Sequence, residues 1–195
     1  MTRVLLLPGL HDSGPEHWQS LWEKAYPEFR RVRQRDFERP ERADWVETLD
    51  AAIRESGGPV VLAAHSLGCS LAAHWAERFG RRGSGPVRGA LLVAPADVER
   101  ADFPPGPTGF APMPGSPLPF PAIVVASAND PYVSAARAGA FAAAWGARFA
   151  LLGPAGHINA DAGFGEWPEG LELLKSLGRP PTARPPPPPS EGAPT

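Results

Sequence analysis

The 195-residue sequence holds a single cysteine, Cys69, so no internal disulfide can form and no pair of thiolates exists to hold a metal. Its five histidines fall into no His-x-x-x-His or comparable spacing, and no metal or other cofactor is expected. Excess positive charge is also missing. The net charge is −2, and the arginines are scattered among acids except around Arg30 to Arg35. Nucleic acid or an anionic membrane would call for a basic face; neither partner is expected, and a small or neutral ligand is. Long apolar runs are absent too. No stretch approaches the length that spans a bilayer. The opening MTRVLLLPGL has one basic residue and an apolar run broken by Pro8, too short for the core of a secretory signal. The expected location is the cytoplasm.

Proline, by contrast, is plentiful and uneven. Most of the 26 prolines fall in Pro104 to Pro121 (PPGPTGFAPMPGSPLPFP) and in the tail from Arg179 (RPPTARPPPPPSEGAPT). The tail lacks large apolar residues and is expected to be a disordered, polyproline-like extension over 179–195, its partners unknown. The internal stretch interleaves Phe103, Phe110, Met113, Leu118 and Phe120 with its prolines, which predicts a loop that packs down and borders a ligand site. With 43% hydrophobic residues, residues 1–178 can bury one core, and one domain is expected there.

The remainder alternates short apolar runs with amphipathic stretches. Strands are expected at Arg3–Leu7, Phe29–Arg33, Val60–Ala64, Arg88–Val93, Ala122–Ala126 and Arg148–Leu152. Helices are expected at Glu16–Ala25, Arg42–Glu55, Leu67–Phe79, Val133–Trp145 and Glu169–Leu177. Runs such as VLLL, VVLA, ALLV and AIVV are apolar on both faces. That suits an α/β fold, a three-layer α/β/α sandwich with a mostly parallel sheet of about six strands. Ligands bind such sheets beyond the carboxyl ends of the strands, so the residues after each strand carry the functional information.

After the third strand comes Ala64-His65-Ser66-Leu67-Gly68, the Gly-x-Ser-x-Gly nucleophile-elbow pattern with Ala at its first small position. A strand turning abruptly into a helix forces the serine into a strained conformation, and small residues two before and two after it let neighbouring backbone approach. The plainer alternative is that Ser66 only caps the helix. After the fifth strand comes Ser127-Ala128-Asn129-Asp130-Pro131-Tyr132, where Asp130 is either an acid or a helix cap followed by Pro131. After the sixth comes Gly153-Pro154-Ala155-Gly156-His157, a loop presenting an imidazole. Each reading is weak alone, but nucleophile, acid and histidine in that chain order, each after a separate strand, is the α/β-hydrolase order. The chemistry needs these types. A serine hydroxyl requires an imidazole to accept its proton, and the imidazole requires a buried carboxylate to fix its tautomer. Asp97, after the fourth strand, competes with Asp130 for that role; Asp130 is favoured because it follows its strand more closely, in a tight turn, whereas Asp97 leads into a more mobile loop. Oxyanion donors are expected from the amides of Leu67, at a helix N-terminus, and Leu10, in the loop after the first strand where Gly9 permits close approach. His11 and Trp167 are candidate substrate contacts, with holding the first loop and packing the last helix as their plainer roles; for His17 the loop-holding role is favoured. Cys69 is expected to pack as a small apolar side chain.

PGLHDSGPEHWQSLWE, AAHSLGCSLAAHW, SANDPYV and GHINADAGFGEWPEG, taken together from Arg3 to Leu177, resemble the YdeN-type serine hydrolases related to retinoblastoma-binding protein nine. The resemblance implies a minimal α/β-hydrolase fold without a large cap domain, a triad of Ser66, Asp130 and His157, and activity on a small-molecule ester or amide. The Pro-rich stretch at 104–121 and the tail depart from that pattern. Only the Pro-rich loop lies between the fourth and fifth strands, where larger relatives insert a cap, so a shallow site favouring small acyl groups is expected. Two alternatives stay open: acyl transfer by the same groups to an acceptor other than water, and a non-catalytic interaction module whose polyproline tail docks partners.

Overall fold

Within residues 2–80 and 85–177, which the computed structural model describes, the predicted alternation folds as β1 (Arg3–Leu7), α1 (Trp18–Ala25), β2 (Phe29–Arg31), α2 (Arg42–Glu55), β3 (Val60–His65), α3 (Leu67–Phe79), β4 (Val87–Val93), β5 (Ala122–Ser127), α4 (Ala135–Trp145), β6 (Arg148–Leu152) and α5 (Pro168–Ser176). A short 3-10 turn, Ala160–Ala162, lies between β6 and α5. The six strands form one sheet in the order β2-β1-β3-β4-β5-β6, and every pairing is parallel. The expected strand after Phe29 ends two residues early, at Arg31, and the helix expected from Val133 starts at Ala135. The expected tail, 179–195, lies outside the described residues.

Side chains alternate across a strand, and here the alternation sorts the core into two layers. Leu5, Leu7, Leu62, Ala64, Leu92, Val124 and Ala126 pack with Trp45, Leu49, Leu71, Phe141 and Trp145 of α2, α3 and α4. Their neighbours Val4, Leu6, Val61, Ala63, Leu91, Val93, Ile123 and Val125 pack with Trp18, Trp22, Leu171 and Leu174 of α1 and α5. Apolar runs with no polar face are thus the signature of a sheet covered on both sides.

The Pro-rich stretch packs against α2, α3 and α4. Phe110, Met113 and Phe120 are buried, the Trp145 indole N–H donates to the Pro114 carbonyl (2.8 Å), and His74 Nε2–H donates to the Phe110 carbonyl (2.8 Å). It is therefore a fastened strap, and the greater mobility expected of it does not fit these contacts. Its first residues, Phe103 and Pro104, reach the carboxyl edge of the sheet, where the segments after β1, β3, β5 and β6 also meet around one cavity.

Candidate active site

Ser66 stands between the last residue of β3 and the first of α3, with φ 54° and ψ −120°. A non-glycine residue there costs about 1–3 kcal/mol and persists only where its surroundings impose it. They do so here. The Ser66 N–H donates to the Val93 carbonyl (3.0 Å), and the Ser66 carbonyl accepts from the Cys69 amide (3.0 Å). A Cβ on Gly68 would collide with the Leu7 carbonyl and stand 2.8 Å from that of Pro8, and a Cβ on Gly9 would stand 2.8 Å from the Ser66 Cβ. The side chain makes no capping hydrogen bond to α3, so the plainer reading of Ser66 as an N-cap does not hold.

His157 Nδ1 lies 2.9 Å and 3.0 Å from the two carboxylate oxygens of Asp130, whose side chain has no solvent exposure. Asp130 does not cap α4 either: Ser134 does, accepting from the Arg137 amide (3.1 Å). Asp130 instead accepts from the Tyr132 amide (2.8 Å). The acid and histidine loops are laced together by Ser127 Oγ, which accepts from the Ala155 amide (3.0 Å), and by Asn129 Oδ1, which accepts from the Gly156 amide (2.8 Å). Asp97 is occupied elsewhere, 3.3 Å from Arg137 Nε. Ser66 and His157 line the same cavity, of about 400 Å³; no hydrogen bond joins the Ser66 hydroxyl to the ring among the described residues.

Behind His157 stands a pair of buried imidazoles. His65 Nε2–H donates to the His157 carbonyl (2.9 Å), and the ring centroids of His17 and His157 each lie 4.7 Å from that of His65. Burial, reinforced by the charges of Arg31 and His157, pulls the His17 pKa down to about 3. Burial, together with His157 and His17, holds His65 well below the ordinary histidine value. Both rings are neutral at pH 7. His17 caps α1, its Nδ1 accepting from the Gln19 amide (3.2 Å), which moves the helix start from the expected Glu16 to Trp18.

The first loop is held from below. Gln19, fully buried, donates to the carbonyls of Leu7 (3.1 Å) and Ala63 (2.9 Å) and accepts from Ser13 Oγ (2.6 Å). The buried Arg31 guanidinium meets Asp12 (2.7 Å) and Glu23 (3.1 Å) and donates to the Ser13 carbonyl (2.9 Å). The His11 amide donates to the Phe37 carbonyl (2.9 Å), while among the described residues no acceptor engages the amide of Leu10, a residue that borders the cavity. Leu67, also at the cavity, is the first residue of α3, where an amide has no partner within the helix. The exposed His11 side chain lies along the cavity and bonds Glu38 (2.8 Å). Trp167 is corrected: it packs among Trp18, Trp22 and Phe164, 7% exposed, and does not line the cavity. Tyr132, which the sequence reading passed over, lies 4.6 Å from the His157 ring centroid. Cys69 is buried, its thiol donating to the Val93 carbonyl (3.3 Å), and burial pushes its pKa well up, so it is no nucleophile. Among the described residues no cluster of three His, Cys, Asp or Glu side chains could hold a metal, and no helix is long and apolar enough to cross a membrane.

The fold recurs in solved structures. A YdeN-like hydrolase from Pectobacterium atrosepticum is 37% identical, with TM-score 0.79, over 91% of this chain and 90% of that one. The ydeN gene product of B. subtilis is 19% identical, with TM-score 0.66, over 91% and 98%. The carboxylesterase CesB from Bacillus subtilis is 15% identical, with TM-score 0.60, over 91% and 84%. No curated protein matches the chain. With its six-stranded parallel sheet, the chain has a small α/β-hydrolase fold. Residues 4–176 match the model of the serine hydrolase family, and the chain belongs to that family.

Proposed function

We propose that the chain hydrolyses small carboxylic esters or amides, with Ser66 as nucleophile, His157 as general base and acid, and Asp130 as the carboxylate that orients it. One observation carries this reading: a strained, uncapped serine opens into the same cavity as an imidazole whose other nitrogen is held by a fully buried carboxylate. Ser66 Oγ attacks the carbonyl carbon while His157 Nε2 takes its proton, and Asp130 stabilises the imidazolium through Nδ1–H. The amides of Leu67 and Leu10 receive the developing oxyanion. The tetrahedral intermediate collapses, the alcohol or amine leaves with the proton from His157, and water repeats the sequence on the acyl-serine. The Ser66–His157 hydrogen bond would form with substrate in place, as such bonds tighten in the reacting complex. The likeness to a carboxylesterase fold is consistent with this. The test is covalent labelling by a fluorophosphonate probe: wild-type protein labels, and Ser66→Ala, still folded by circular dichroism, neither labels nor turns over small esters. Comparable labelling of the variant would overturn the assignment.

A further inference from the structure

The two ends of the cavity rest on opposite layers of the molecule. Leu10, Leu67 and Phe103 belong to or pack against the apolar core on the α2, α3 and α4 side. His157 and the residues after it, Asn159 and Asp161, lie over the α1 side, where the Trp18 indole N–H donates to the Ile158 carbonyl (3.1 Å). A general acid must stand beside the group that departs, since it delivers the proton to it. The departing alcohol or amine therefore lies toward His157, Asn159 and Asp161, and the acyl chain lies toward Leu10 and Phe103, the partly buried apolar side chains of the opposite wall. Charge sharpens this. Among the described residues no lysine or arginine lines the cavity, the two rings behind His157 are neutral, and the lining carboxylates are Asp12 and Asp161. Asp12 is paired to Arg31, and Asp161 has no ion-pair partner among the described residues. An acyl chain ending in a carboxylate would lose its hydration to an apolar wall with no lysine or arginine to receive it, the lining His11 being already engaged by Glu38.

Resting on the serine hydrolase reading above, we infer that the wall formed by the partly buried Leu10 and Phe103 is an acyl subsite for uncharged aliphatic chains, and that it rejects acyl groups carrying a terminal carboxylate. Phe103, half-buried at the start of the Pro-rich stretch, sets the chain preference. The experiment compares p-nitrophenyl acetate, p-nitrophenyl hexanoate and the p-nitrophenyl monoester of adipic acid, equal in length to the hexanoate, with uncatalysed rates subtracted. Wild-type kcat/KM for the hexanoate is expected to exceed that for the adipate by at least about tenfold. Phe103→Ala lowers the hexanoate-to-acetate ratio by about fivefold or more, as removal of a hydrophobic wall does. Phe103→Lys, with folding checked by circular dichroism, raises the adipate-to-hexanoate ratio by about tenfold. Equal wild-type rates on hexanoate and adipate would overturn the inference without any variant, and so would a hexanoate-to-acetate ratio within twofold of wild type in Phe103→Ala. Fluorophosphonate labelling in parallel separates the failures: normal labelling with unaltered ratios removes only the subsite, while no labelling of wild type removes the hydrolase reading itself.

Discussion

At the scale of single residues, Asp130 and Asp97 sit just past neighbouring strands and differ in what they face. Asp130 has no exposure and holds the His157 ring; Asp97 is spent on Arg137. Replacing a triad aspartate by asparagine leaves the histidine in the wrong tautomer and costs up to about four orders of magnitude in turnover. Asp130→Asn is expected to approach that loss in kcat, whereas Asp97→Asn changes stability by less than about 1 kcal/mol, as partly exposed pairs do, and leaves kcat near wild type. Steady-state kinetics with circular dichroism as the folding control decide it; the reverse ranking would move the acid to Asp97. His65 acts on His157 through the backbone. Without its donor to the His157 carbonyl, His65→Ala is expected to lose about 10²-fold in kcat, the scale of a small misplacement, with KM little changed. His65→Gln, which keeps an N–H, should recover part of that loss; equal rates for both variants and wild type would leave the residue without a positioning role. His65 was not legible as such, because a histidine inside an apolar run reads as core, and its partner lies 92 residues on. That Ser66, Asp130 and His157 come together at one edge of the sheet was legible, because chain order and strand ends are local signals that converge.

Among the elements, the turn from β3 into α3 depends on two glycines. Gly68 faces carbonyl oxygens of Leu7 and Pro8, which are backbone and cannot swing aside. Gly68→Ala is expected to cost about 1–3 kcal/mol, the range of overpacking, read from the urea midpoint; an unchanged midpoint would mean that the elbow relaxes freely. The strands were readable because apolar runs bounded by Pro and Gly leave little choice of position. The helix starts were less so. His17 and Ser134 cap α1 and α4, and a histidine cap has no strong sequence signal, while the Asp-Pro step before α4 imitates a cap although its carboxylate instead holds the His157 ring. Trp167 was misplaced for a related reason: its position after the histidine loop suggested the cavity, but the aromatic cluster of α1 draws it inward.

For the whole molecule, burying neutral imidazoles ties stability to pH. In the unfolded chain His17 titrates near 6.5, and in the folded protein near 3. Between those values the unfolded state binds a proton that the folded state refuses, so stability rises with pH there and is lost as the medium is acidified below about 6.5. His17 alone contributes a slope of about 1.4 kcal/mol per pH unit in that window, and His65 and His74, also pulled down by burial, add in the same direction. Urea denaturation between pH 6 and pH 5 measures the sum. His17→Asn, which retains a cap, should remove about one proton from the slope, and a flat profile in the wild type would contradict the burial of these rings as neutral species. The order of the sheet has a further effect. From β3 outward the strands are laid down in chain order, β4, then β5, then β6 at the edge, so the serine belongs to the centre and the histidine follows the outermost and last strand. If Ser66 and His157 act as proposed, a polypeptide emerging from the ribosome would carry its hydroxyl on a part-built sheet with no base beside it, and would gain the means to attack an acyl group only when the edge strand closes the fold.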